Sequence, residues 1–206
     1  NLKDYDYYCY SSGCLSLLLA FLNTTVDSAY ETCSSIQVSS LAGNLSQYEL
    51  VDYFLDEFAP ESVESAVLED FLPSLNVLVT TANAGVDIQT PTNRRELVDL
   101  LVKTTWIPFV TGRGVLTDDD GHYLDGGFSR VLHPKCDHEV YVPVTWNTFI
   151  HTLNPGFDRK LVNEFWEMGQ AIKGHPFTDS SDVGPLVVAD TDSSHSWNPI
   201  IGSTIA

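Results

Sequence analysis

The chain of 206 residues reads as an α/β protein. Three observations predict this class. Residues 5–10 form a short aromatic run rich in strand formers, which stops at Ser11-Ser12-Gly13 and gives way to an apolar helix over 14–21. Strand, small-residue turn and buried helix, in that order, are the start of an α/β unit. Residues 76–81 (Asn-Val-Leu-Val-Thr-Thr) form a second strand by their β-branched content. The stretches between and after these strands carry apolar residues at helical spacing.

The remaining elements follow in order. In residues 47–72, Leu50, Val51, Phe54, Leu55 and Phe58 share one helical face; Val63, Val67, Leu68, Phe71 and Leu72 continue the pattern beyond Pro60. Two amphipathic helices with their acids on the wet face are expected there. A loop containing Gly85 and Pro91 leads to a helix over 93–104, with Asn93 as N-cap and Leu97, Leu100 and Leu101 on its apolar side. Residues 106–110 read as extended, because the residue before Pro108 avoids helical backbone. Residues 114–124 read as a hairpin turning at Asp120-Gly121. A strand over 140–144 and a helix over 158–173 complete a domain of residues 1–178. From residue 179 the composition shifts to Ser, Asp, Gly and Pro, and a loosely packed tail, 179–206, is expected.

Ten basic and 28 acidic residues give a net charge of −18, which repels nucleic-acid phosphates and anionic lipid surfaces. Nucleic acid is therefore excluded as a partner. A lipid or acyl-ester substrate, reached by apolar contact, is not. The longest strongly apolar stretch, 15–22, is far short of the ~20 residues that span a bilayer. Cys9, Cys14, Cys33 and Cys136 form no C-x-x-C pair; buried thiols are the expectation for Cys9 and Cys14, with a disulfide left open. Two sequons, at Asn23 and Asn44, would make the chain a glycoprotein in a secretory or vacuolar setting.

Two constellations carry chemistry. Cys9-Tyr10-Ser11-Ser12-Gly13 is a G-x-S-x-G pattern with cysteine in the first position. Such a turn exposes a strained serine at a strand's end and aims the following helix N-terminus at it, provided its neighbours are small. The competing reading is an N-cap, with Ser11 or Ser12 simply starting the helix. Asp125-Gly126-Gly127 ends the hairpin strand. A carboxylate there can serve as a base if burial raises its pKa, and the glycines would let the chain turn away. The competing reading is a plain Asp-Gly turn.

Taken in order, these motifs resemble the patatin-like acyl hydrolases, relatives of plant storage lipases and calcium-independent phospholipases A. The resemblance covers residues 5–130. Residues 97–110 look like the family's helix and its S-x-x-I-P-x-x-F stretch, and residues 121–127 look like its G-x-x-Y-x-D-G-G ending. It implies a three-layer α/β/α fold with a mostly parallel sheet. It also implies a Ser11 nucleophile and an Asp125 base, supported by Cys9, Ser12, Gly13, Gly126 and Gly127, with no cofactor. The implied activity is phospholipase A-like ester hydrolysis through an acyl-enzyme. The family's glycine-rich oxyanion loop precedes the nucleophile, whereas the ten residues ahead of Ser11 contain no glycine. A fragment of a longer protein, or a degenerate module that binds lipid or protein, is expected on that account.

Histidine and metal chemistry have weaker signals. His122 lies three residues before Asp125 and would face the other side of an extended strand; His151 and His175 carry no supporting pattern. His133, Cys136 and His138 have ligand-type side chains without a second matching pair. Asp118-Asp119-Asp120 lacks the glycine and glutamate of a calcium loop and reads as a solvated turn. No metal site is expected. No phosphate-binding glycine motif is present.

Overall fold

The computed structural model describes residues 5–43, 45–60, 65–83, 85–141, 159–160, 163, 186–187 and 202–205. It is a mixed α/β structure. Strand β1 (Tyr7–Tyr10) leads into helix α1 (Ser12–Phe21), followed by α2 (Val26–Leu41), α3 (Gln47–Phe58) and α4 (Ser65–Phe71). Strands β2 (Leu75–Thr81) and β3 (Val86–Gln89) precede α5 (Arg94–Thr104), then β4 (Leu116–Thr117), β5 (His122–Leu124) and a 3-10 helix, Gly126–Leu132. Strands β6 (His138–Tyr141), β7 (Leu186–Val187) and β8 (Gly202–Ile205) complete the described elements.

The sheet order is β4-β5-β2-β1-β8-β6-β7, with β3 also on β2. β1 and β2 are parallel, as are β6 and β7; the other described pairings are antiparallel. The sheet is therefore mixed, and the parallel arrangement expected from sequence is found at the β1–β2 and β6–β7 pairs. β2 is its inner strand: Leu75, Val77, Leu78 and Val79 are all buried, so both faces are covered.

The register of β2 sets the geometry of everything nearby. Val77 pairs with Cys9 on one side and Gln89 on the other. Thr80 pairs with Leu124 on one side and Val86 on the other. Because Val86 and Gln89 belong to one strand, β1 and β5 must share the opposite edge of β2. β1 runs parallel to β2 and β5 runs antiparallel, so their C-terminal ends point at each other.

Helices α3 and α5 pack together and α5 lies on β2. α3 opens on a capping box, in which the Ser46 hydroxyl accepts from the Glu49 amide and the Glu49 carboxylate accepts from the Ser46 amide. Val51, Phe54, Leu55 and Phe58 are buried while Asp52, Asp56 and Glu57 are exposed, as the periodicity predicts. Asn93 caps α5 by accepting from the Glu96 amide at 3.0 Å. Arg94 then donates to the Ala59 carbonyl (2.7 Å) and the Asp56 carboxylate (2.6 Å), placing a cation at the C-terminal end of α3 where the helix dipole favours it.

Three differences from the sequence reading have local causes. α2 has few strong apolar positions (Ala29, Cys33 and Ile36 pack against the core) and is rich in serine, so its period is faint. β3 forms where a loop was expected, pairing with β2 across a short connection. Residues 106–110, expected to be extended, turn back from Phe109 onward. Phe109 has φ +65°, its amide bonds to the Gly112 carbonyl at 2.7 Å, and the chain doubles back with Gly112 packed against the Trp106 ring.

Of the strand expected over 140–144, residues 142–144 lie outside the described residues. Of the helix expected over 158–173, Arg159, Lys160 and Asn163 are described and are helical; the rest lies outside. Within 179–206 the described stretches are β7 and β8. No helix among the described residues is long and apolar enough to cross a membrane.

Replacing the α5 cap, Asn93→Ala, should destabilise the protein by about 1 kcal/mol. Thermal unfolding should show this as a lower Tm with unchanged helical signal in the native baseline.

Candidate functional site

The opposed ends of β1 and β5 bring Ser11 and Asp125 together. The Ser11 hydroxyl donates to Asp125 Oδ2 at 2.5 Å across 114 residues of sequence. Both are enclosed: Ser11 is 3% exposed and Asp125 is fully buried.

Ser11 lies between β1 and α1 with φ 52° and ψ −146°, backbone that glycine adopts freely and serine rarely does. Its side chain does not cap α1, which removes the N-cap reading. The Ser11 carbonyl accepts from the Cys14 amide at 3.1 Å, and its own amide donates to Thr104 Oγ1 at 2.9 Å. Ser12 is the first helical residue and Gly13 is buried under the turn. Cys9 and Cys14, both fully buried, are joined in a disulfide rather than left as thiols. The cysteine that replaces the expected first glycine therefore ties the strand to the helix around the serine.

Asp125 is held from several directions. Its amide donates to the Trp106 carbonyl at 2.8 Å and its carbonyl accepts from the Thr80 hydroxyl at 2.8 Å. Oδ1 accepts from the Gly127 amide at 2.8 Å, leaving Oδ2 for Ser11. Burial pushes this carboxyl up to about 7, against the opposing pull of the Ser11 hydroxyl and the Gly127 amide. Gly126 is needed for close approach rather than for a special turn. Neither it nor Gly127 has positive φ, but a Cβ on Gly126 would stand 2.3 Å from the Leu78 carbonyl oxygen and 2.7 Å from Tyr10 Cβ.

The hairpin leading to Asp125 is anchored by a buried lysine. Lys103 bonds to Asp99 (2.8 Å) and Asp118 (2.7 Å) and lies over the Tyr123 ring. Burial works against its charge, but the two carboxylates more than compensate, and its pKa is raised. Asp118, expected in a solvated turn, thus fastens the hairpin to α5. It also accepts from the Asp120 and Gly121 amides, which shape the turn.

No histidine joins the pair among the described residues. His122 is exposed and bonds to Thr117, on the opposite face of β5 from Asp125, as its spacing predicts. His133 packs edge-on against Tyr10 and its Nε2 lies 3.0 Å from the Gly126 carbonyl oxygen; burial lowers its pKa. His151 and His175 lie outside the described residues, as does the side chain of His138. No cluster of three metal-type ligands occurs among the described residues.

Sequence reasoning missed the residues that hold the pair: Thr80, Thr104 and the Trp106 backbone. Thr104 had a legible signal, since it is a polar residue on the stripe formed by Leu97, Leu100 and Leu101. Comparison with protein-family models, with curated proteins and with solved structures found no match.

Two outcomes follow for the pair itself. Gly126→Ala should displace Asp125 from Ser11, because backbone rather than a flexible side chain blocks the new methyl; a crystal structure of the variant would reveal it. An unfolded Asp has a pKa near 3.9, so a folded value about 7 means the native state prefers the protonated form. That contribution to stability is complete below about pH 4 and is lost as the pH rises through 7. Asp125→Asn should therefore gain Tm relative to the parent between pH 4 and pH 8, a trend that thermal melts across that range would measure.

Proposed function

We propose that the chain is a serine acyl hydrolase of the patatin-like type, with a three-layer α/β/α arrangement, acting on carboxylic esters of lipids. The observation that carries this reading is the buried 2.5 Å bond from the Ser11 hydroxyl to Asp125. A serine in glycine-type backbone beside a carboxyl raised to about 7 is the pairing that a two-residue nucleophile and base require. The order of motifs supports the family, and a disulfide at the turn fits an oxidising compartment.

In the reaction, ionised Asp125 takes the Ser11 hydroxyl proton as Oγ attacks the ester carbonyl carbon. The carbon–oxygen bond to the leaving alcohol breaks, and Asp125 returns the proton to that alcohol. A water then loses its proton to Asp125 while attacking the acyl-serine. The freed Ser11 oxygen recovers that proton and the acid departs. The first amides of α1, at Ser12 and Gly13, have no partners within the helix and are the donors closest in sequence for the developing oxyanion. No cofactor enters this scheme.

The enclosure of Ser11 favours a second reading, a patatin-like module that binds lipid or protein without turnover. On the first reading, neighbouring side chains must part before an ester reaches Oγ. A fluorophosphonate probe separates the two. The hydrolase reading expects a Ser11 adduct by mass spectrometry, absent in Ser11→Ala and lost in Asp125→Ala. Its rate should fall about tenfold per pH unit below about 7, as Asp125 protonates. A folded protein that stays unlabelled through prolonged exposure would refute it.

A further inference from the structure

Thr104 occupies a place that the reaction scheme leaves unused. It is the last residue of α5 and is fully buried. Hydroxyls in helices commonly bond back to the carbonyl four residues earlier, and neighbouring Thr105 does this, donating to the Leu101 carbonyl at 2.7 Å. Thr104 reaches out of its helix instead. Its hydroxyl donates to the Leu78 carbonyl of β2 at 2.6 Å, which turns an oxygen lone pair towards the Ser11 amide, 2.9 Å away. A Cβ placed on Gly126 would come within 2.8 Å of the same oxygen. One hydroxyl therefore sits where the serine turn, the inner strand and the residue after Asp125 converge.

We propose that Thr104 is a positioning residue for the Ser11–Asp125 pair. By accepting from the Ser11 amide, it holds that residue's backbone in the conformation that aims Oγ at Asp125. Ser11 stands in backbone that serine rarely adopts, and its amide is buried away from water. Thr104 supplies that amide with an acceptor, and the acceptor cannot swing away because its own proton is committed to β2. Without the oxygen, Ser11 can satisfy its amide only by rotating, and rotation carries Oγ off the carboxylate. The role in reactivity rests on the proposed hydrolase reading; the role in holding the backbone does not.

The test compares Thr104→Val, which keeps the shape without the acceptor, with Thr104→Ser, which keeps the hydroxyl. Hydrogen exchange of the Ser11 amide, followed by NMR, is the first readout. Exchange should be about tenfold faster or more in Thr104→Val, with β2 amides still protected, and near the parent rate in Thr104→Ser. The second readout is fluorophosphonate labelling of Ser11, which should slow by a similar factor in the valine variant and recover in the serine one. If Thr104→Val does not fold, Thr104→Ala against Thr104→Ser gives the same comparison, since they differ by one oxygen. Unchanged Ser11 exchange in the variants lacking the hydroxyl would overturn the proposal. A merely structural threonine would lower Tm and leave labelling per folded molecule unmoved, which would also overturn it. If the parent never labels but Ser11 exchange responds as expected, the positioning role stands and the hydrolase reading falls.

Discussion

The edge of β2 between Leu78 and Thr80 governs the arrangement. Two strands approach it from opposite directions, and neither can pass the other. β1 stops at Tyr10 and β5 stops at Leu124, so the residues that follow must leave the sheet where the strands abut. Ser11 leaves into a helix and Asp125 into a 3-10 turn. Sheet hydrogen bonding ends there, and the backbone groups it would have paired need other partners. Thr104 Oγ1 and the Trp106 carbonyl supply them. The polar cluster at the junction is thus required by the topology before any chemistry is considered.

The same junction accounts for the electrostatics. Closing two strand ends against each other excludes water from Asp125, and exclusion raises its pKa more than two hydrogen bonds lower it. Lys103, on α5, shows the opposite balance. It is also buried, but two carboxylates reach it and its charge is stabilised. A cation beside Asp125 would have kept that carboxylate fully ionised and a weaker base. The lysine instead spends its charge on Asp99 and Asp118, steadying the hairpin that delivers Asp125.

Much of this was legible in the sequence because the responsible signals are local. A capping asparagine, an apolar stripe, a β-branched run and an Asp-Gly turn each act within a few residues, and α5, β2 and the hairpin follow them. Ser11 and Asp125 were legible because small residues crowd around both. What was hidden depends on partners far along the chain. β3 is four residues long and is defined by its register on β2. The turn at Phe109 depends on Gly112 fitting against Trp106. The Cys9–Cys14 bond is short-range, yet no spacing rule distinguishes it from two buried thiols. Thr104 could be noticed as a polar residue on an apolar face, but its partners, Ser11 and Leu78, are defined only once three elements meet.

The 114-position separation of Ser11 and Asp125 also orders events in time. The strand, the turn and both cysteines of the disulfide emerge together during synthesis. At about 5–20 residues per second, Asp125 follows roughly 6–23 s later. Throughout that interval the Ser11 hydroxyl lacks the carboxylate that it meets in the folded protein. The pairing awaits β2, α5 and the hairpin, in that order, so the nascent chain finishes the turn at Ser11 long before the residue that meets it has been made.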